Sequence, residues 1–221
     1  MKVMILAAGR GQRMGSLTEH CPKPLLEISG RSLIEHQLLA LKQQGFSEFV
    51  INLAYLGGQI KQALGSGEQW GVTIEYSDEG ELALETGGGI HKALPLLGQE
   101  HFLLVNADVW TDFPYASLRD QTAKKIHLVL VDNPKHNHTG DFQLHESRVL
   151  NEGGECLTYS GVGVFHPSVF AAETAGVFPL APLIRRQITA DQVSGQRHQG
   201  VWVDVGTPER LASLGSTLPS Q

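Results

Sequence analysis

Through its first half the chain alternates short, uninterrupted apolar runs with segments whose apolar residues recur at helical spacing. That rhythm admits few architectures. Val3–Ala8 lacks the in–out alternation of a half-exposed strand and reads as a strand buried on both faces. Ser32-Leu33-Ile34-Glu35 is a capping box, the apolar Leu38, Leu39 and Leu41 follow it, and Gly45 stops the helix. Phe49–Leu53 and Val72–Tyr76 read as further strands, with a short helix at Gln59–Leu64 between them. Gly87–Leu94 reads as a loop turning into a helix that stops near Pro95, and His101–Asn106 as the next strand. Such alternation implies an α/β class: a doubly wound, mostly parallel, Rossmann-like sheet with helices on both faces.

The second half is less regular. His127–Val131 reads as a strand, and Phe142–Leu144 with Arg148–Leu150 as an inserted antiparallel ribbon. Tyr159–Phe165, carrying Gly161 and Gly163, reads as a strand beside a ligand. Leu180–Ile188 is expected to be a helix, Val201–Val205 a strand and Pro208–Leu214 a last helix with proline in its first turn. No repeat, linker or low-complexity stretch divides the chain, so residues 1–221 are expected to form a single domain with no second activity appended.

Charge and cysteine usage exclude several classes. Lys plus Arg number 17 against 23 for Asp plus Glu, a net charge of −6, which argues against nucleic acid as a partner. Cys21 and Cys156 are far apart and have no C-x-x-C spacing, so neither a disulfide framework nor a structural zinc site is expected. No apolar run approaches the roughly 20 residues that span a bilayer, and the opening apolar stretch is too short for a signal peptide. The expected setting is the cytoplasm, without membrane partners, as a monomer or weak homodimer.

The informative segment is Gly9-Arg10-Gly11-Gln12-Arg13-Met14-Gly15, which follows the first buried strand. A P-loop would need Gly-Lys followed by Ser or Thr, and none is present. A dinucleotide fingerprint would need its third glycine one residue earlier and an unbroken crossover helix, which Pro22 and Pro24 interrupt. What remains is a loop in which Gly9 and Gly11 let backbone N–H groups approach a phosphate chain. Arg13 offers a forked cation to the β- and γ-phosphates, and Lys23, in Pro22-Lys23-Pro24, a point charge nearer the α-phosphate. Two carboxylates accompany these cations. Asp108 closes the apolar run Leu103–Val105, and Asp204 lies in Trp202-Val203-Asp204-Val205-Gly206-Thr207-Pro208. A carboxylate among apolar neighbours is costly unless it is hydrogen-bonded, paired or metal-bound, and each could also cap a turn. Mg²⁺ suits such a pair, because it takes one or two carboxylates and completes its octahedron with phosphates and water.

With Leu6-Ala7-Ala8-Gly9-x-Gly11-x-Arg13-Met14 and Pro22-Lys23-Pro24, the chain resembles the sugar-phosphate nucleotidyltransferases. These enzymes join a sugar 1-phosphate to a nucleoside triphosphate. Gln12 stands where that family has Thr or Ser, and Ala107 where it has Gly before the metal aspartate. The resemblance implies catalytic roles for Arg13 and Lys23, with Asp108 and Asp204 holding Mg²⁺. It implies a nucleotide site of Gly9, Gly11, Gln12, Arg13, Lys23, Asn106 and, at the base, Gly87 and Gly88 of Leu84-Glu85-Thr86-Gly87-Gly88-Gly89. The sugar end is assigned to Asp141, Ser160 and Gly161. The glycine-rich string places the chain near the short uridylyl- and mannose-1-phosphate-guanylyl-like branch. Within it, Asp108-Val109-Trp110-Thr111-Asp112 points to UTP and N-acetylmuramate 1-phosphate of bacterial cell-wall recycling as the substrates so implied. A related transferase using another triphosphate, or a silent nucleotide-sugar-binding module, are the alternatives. His136-Asn137-His138 is expected to be solvated rather than metal-binding.

Overall fold

The structure is a computed structural model and describes residues 1–217. The strand β1 (Val3–Leu6) opens the chain, followed by the short β2 (Glu27–Ile28) and β3 (Arg31–Ser32), which pair with each other. Helix α1 (Leu33–Gln43) starts on the capping box: the Glu35 N–H donates to Ser32 Oγ, and the Glu35 carboxylate accepts from the Ser32 N–H at 2.9 Å. Then come β4 (Glu48–Leu53), α2 (Gly57–Leu64), β5 (Thr73–Asp78), α3 (Glu85–Leu97), β6 (Phe102–Asn106) and β7 (Val109–Thr111). The second half runs β8 (Ile126–Val131), β9 (Phe142–His145), β10 (Arg148–Leu150), β11 (Cys156–Phe165), α4 (Ala181–Thr189), β12 (Val193–Arg197), β13 (Trp202–Asp204) and α5 (Pro208–Thr217).

Nine strands form one sheet in the order β5-β4-β1-β6-β11-β8-β12-β10-β9. Its first four strands are parallel, with Ile5 level with Ile51 and Val105. Antiparallel β11 joins β6 to β8, and the β9–β10 ribbon extends the far edge and turns back to pair with the start of β11. Alternate residues of β1 supply both faces. Val3 and Ile5 pack with Leu38 and Leu41 of α1 and Ile60 of α2, whereas Met4 packs with Ile90 and Ala93 of α3. Burial on two faces is why the opening run reads as continuously apolar.

The structure differs from the sequence reading in three places. The glycine run is not a loop: Gly87, Gly88 and Gly89 lie within α3, which continues past Pro95 to Leu97. Proline is tolerated there because it removes only one helical hydrogen bond, close to a terminus. The strand at β12 has no apolar run. Its Ser194 and Gln196 instead hydrogen-bond the buried His127 of β8 at 2.9 and 3.1 Å. Finally, β13 leaves the main sheet and pairs antiparallel with β7, Asp204 level with Val109.

Candidate active site

Beyond the carboxyl ends of β1, β4, β5 and β6 lies a cavity of about 470 Å³. Open α/β sheets bind ligands at this end. Its walls are residues 6–13, Lys23 and Pro24, Asn52, Glu79, Ala83, Glu85, Thr86, Asn106 to Asp108, and Gly206. A chain of hydrogen bonds fixes the ends of the strands around it. The Ala7 N–H donates to Asn52 Oδ1 at 2.8 Å, Asn52 Nδ2 to Glu79 Oε1 at 2.7 Å, and the Leu84 N–H to Glu79 Oε2 at 2.7 Å. Asn52 and Glu79 are both buried, and no sequence pattern singled them out.

The glycine loop closes on Lys23. Gly11 is left-handed, at φ 66°, and a Cβ there would lie 3.0 Å from the Lys23 Cβ. Glycine is therefore required twice, for the turn and for the approach. The loop then enters a short 3₁₀ segment, held by Met14 N–H to Gly11 O at 2.8 Å and Thr18 Oγ1 to Gly11 O at 3.1 Å. Met14 is anchored in a small core with Leu26, Ile28, Leu33, Val205 and Leu214. Arg13 projects from this segment, exposed in the cavity wall, and has no acidic side-chain partner among the described residues.

Lys23 is buried and ion-paired with Asp108, which follows β6 and reaches the same cavity. The pairing of β7 with β13 brings Asp204 beside it, and the Val205 N–H donates to the Asp108 carbonyl at 2.8 Å. Asp112 braces this ribbon by accepting from the Val201 N–H at 2.8 Å. The Asp204 carboxylate receives Arg210 Nη1 at 2.5 Å on one oxygen and His136 Nε2 at 3.3 Å on the other. His136 is thus engaged at the site rather than merely solvated, and Arg210 is a participant the sequence reading missed. Among the described residues no cluster of three or more His, Cys, Asp or Glu side chains forms a metal cage. Asp108 in the cavity wall, with Asp204 on the neighbouring strand beside the lining Gly206, fits a hard cation whose other ligands come from substrate and water.

Gly9, Gly11, Gln12, Arg13, Lys23, Asn106 and Asp108 meet in this cavity, and Asp204 lies alongside through Gly206. The other expected residues do not line it. A Cβ at Gly87 would strike Phe178, and one at Gly88 the Gly176 carbonyl, so these glycines serve helix packing; Ala83, Glu85 and Thr86 form the adjacent wall. Ser160 is buried with its hydroxyl engaged in both senses, donating to the Val129 carbonyl at 2.7 Å and accepting from the Val162 N–H at 3.1 Å. Gly161, at φ 79° in a bulge of β11, makes room for Asn106 rather than for a sugar ring. Asp141 accepts from the Tyr159 N–H at 2.8 Å and from Asn137 Nδ2 at 3.3 Å, which ties one of its oxygens to β11 and the other to the loop before β9.

Comparisons with known proteins agree with this geometry. Residues 2–142 match the family model described as nucleotidyl transferase. The chain is 52% identical over 221 residues to the N-acetylmuramate alpha-1-phosphate uridylyltransferase of Neisseria meningitidis, covering 96% of this chain and 95% of that protein. It is 34% identical to the protein of the same name from Caulobacter vibrioides, covering 97% and 96%. Among solved structures, a Bacillus anthracis protein described as a glucose-1-phosphate thymidylyltransferase superposes with a TM-score of 0.87 at 19% identity, covering 99% of this chain and 96% of that one, a likeness of fold.

Proposed function

Since the chain belongs to the nucleotidyl transferase family, we propose that it transfers a uridylyl group from UTP to N-acetylmuramate 1-phosphate, releasing pyrophosphate. The observation that carries this reading is the convergence of Arg13, Lys23 and Asp108 on one cavity at the strand ends. The similarity to two uridylyltransferases along nearly the whole chain supports the choice of substrates. We read the 221 residues as one nucleotidyltransferase domain. No described helix is long and apolar enough to cross a membrane; the proposed site of action is the cytoplasm.

In this reading a phosphate oxygen of the sugar 1-phosphate attacks the α-phosphorus of UTP. A P–O bond forms there, and the bond to the β-phosphate oxygen breaks. The nucleophile is already anionic, so no side chain need remove a proton. Catalysis then rests on placing the reactants in line and offsetting charge. Lys23 binds the α-phosphate and Arg13 the departing pyrophosphate, while the backbone of Gly9, Gly11 and Gln12 cradles the chain of phosphates. Asn106 sits beside the nucleotide, and the base lies toward Ala83, Glu85 and Thr86. Asp108 and Asp204 would hold Mg²⁺, which when bound supplies positive charge to the phosphate oxygens. The test is pyrophosphate release measured over several triphosphates crossed with several sugar 1-phosphates, with and without Mg²⁺. Fastest release with UTP and N-acetylmuramate 1-phosphate is expected, and release with no pair would overturn the reading.

A further inference from the structure

Arg210 stands in the first turn of α5, outside every segment that the phosphate-binding reading uses, yet its side chain reaches the same place. A Cβ built on Gly206 would run into the Arg210 guanidinium and would lie 3.2 Å from Arg13 Nη2. Two guanidinium groups, from residues almost two hundred positions apart, therefore converge over one glycine in the cavity wall. Only Gly206 leaves the space for both. Like charges at this separation repel unless an anion lies between them. Each guanidinium has two edges. Arg210 spends Nη1 on Asp204 at 2.5 Å, and its Nη2 is the atom directed at Gly206. Its side chain is 22% exposed, sheltered enough for a charge-assisted hydrogen bond to count.

We propose that Arg210 is a second pyrophosphate ligand, which with Arg13 grips the β- and γ-phosphates over Gly206 while its other edge holds Asp204. The assignment rests on the nucleotidyl-transfer reading, which gives Arg13 to the leaving group. Pyrophosphate is favoured over an anion of the sugar because the convergence is with Arg13. The packing favours it too: Leu214 of α5 and Val205 share a core with Met14 of the glycine loop. Arg210 is thereby fixed to the body that carries the triphosphate loop. The same geometry links leaving-group binding to the orientation of Asp204, since one planar group serves both.

The test compares Arg210→Gln and Arg210→Lys with the wild type in both reaction directions, together with the melting temperature. In the pyrophosphate-consuming direction the KM for pyrophosphate is expected to rise about ten- to one-hundred-fold in Arg210→Gln, the range for losing a hydrogen bond to a charged group. The KM for the sugar 1-phosphate should change by less than about threefold. Arg210→Lys should recover only part of the loss, because a point charge cannot serve Asp204 and a phosphate together. Direct titration of inorganic pyrophosphate into the Mg²⁺-loaded protein, wild type and Arg210→Gln, reads the clamp even if the sugar or base has been misassigned. Unchanged pyrophosphate binding and KM would overturn the proposal. So would a selective rise in the KM for N-acetylmuramate 1-phosphate with that for N-acetylglucosamine 1-phosphate unaffected, since Arg210 would then be reading the lactyl carboxylate. If Arg210→Gln melts well below the wild type, Gly206→Ala serves as the second variant. It crowds both guanidinium groups without removing either charge and should raise the pyrophosphate KM in the same sense.

Discussion

Replacing Gly161 with alanine tests the bulge of β11 as the support of Asn106 rather than as part of a sugar pocket. The backbone there is left-handed, at φ 79°, and a Cβ would lie 2.5 Å from Asn106 Nδ2 and 2.7 Å from its Cγ. A non-glycine residue in this region costs about 1–2 kcal/mol. Driving Asn106 off its rotamer adds about 0.5–1.5 kcal/mol, so the expected loss is about 1.5–3.5 kcal/mol, centred on about 2.5 kcal/mol. For a chain of this size that lowers the melting temperature by roughly 5–10 °C. Because Asn106 lines the cavity, the KM for the triphosphate should rise with it. Differential scanning fluorimetry and steady-state kinetics on the purified variant measure both. Adding Asn106→Ala separates the terms. The steric part should disappear in the double variant and leave the backbone strain, a coupling of about 1 kcal/mol. A Gly161→Ala protein that melts within about 1 °C of the wild type would refute the reasoning. So would a double variant whose loss is the simple sum of the single ones.

Three further outcomes are expected. Asp108→Asn should cut pyrophosphate release at least about 100-fold, and near-normal release would remove Asp108 from the metal site. Ser160→Ala leaves the Val162 N–H and the Val129 carbonyl without their partner, so thermal denaturation should show a loss of about 1–3 kcal/mol. The KM for the sugar should stay put, and a raised sugar KM at constant stability would restore Ser160 to the substrate. Burial holds His127 below its ordinary value near 6.5, an effect that the hydrogen bond with Gln196 only partly offsets. The unfolded chain therefore takes up the proton first as pH falls, and this contribution to stability is present above the unfolded pKa and is lost below it. Melting temperatures between about pH 7 and pH 5 should decline less steeply for His127→Gln than for the wild type, and parallel declines would exclude His127 as a source.

What the sequence made legible was local or periodic. The capping box at Ser32 and Glu35 needs only neighbours three residues apart, and the apolar runs of β1, β4 and β6 declare burial on two faces without any partner being known. The glycine loop was equally legible, because a turn and an arginine at fixed offsets are properties of one short segment. Long-range geometry was not. Nothing in Val109-Trp110-Thr111 announces that it pairs with Trp202-Val203-Asp204, yet that pairing brings together the two segments that carry Asp108 and Asp204. Asn52 and Glu79 act on each other from 27 positions apart, and His136 and Arg210 meet from 74 apart, and polar residues of these types are unremarkable on any strand or helix. The run Gly87–Gly89 misleads for a different reason. Glycine marks flexible turns and tight packing alike, and only the ring of Phe178 and the carbonyl of Gly176 show which applies here.

The net charge of −6 and an anion-binding cavity are compatible because the fold pairs charges unevenly. Lys23 is buried against Asp108 and Arg210 against Asp204, so these two cations are held in place by carboxylates before any substrate arrives. Arg13, which meets Arg210 over Gly206, has no such partner among the described residues. A cation already desolvated by an ion pair meets an incoming phosphate with less reorganisation than one withdrawn from water. A metal ion shared by the same carboxylates would loosen their hold on Lys23 and Arg210 at the moment phosphate oxygens come within reach. On this argument the carboxylates have two successive partners, and removing either one should mislay a cation as well as a metal. Asp204→Asn should then weaken pyrophosphate binding even without Mg²⁺, measured by calorimetry, because Arg210 loses the carboxylate that orients it. Pyrophosphate binding without Mg²⁺ that is unchanged by Asp204→Asn would show that Asp204 serves the metal alone.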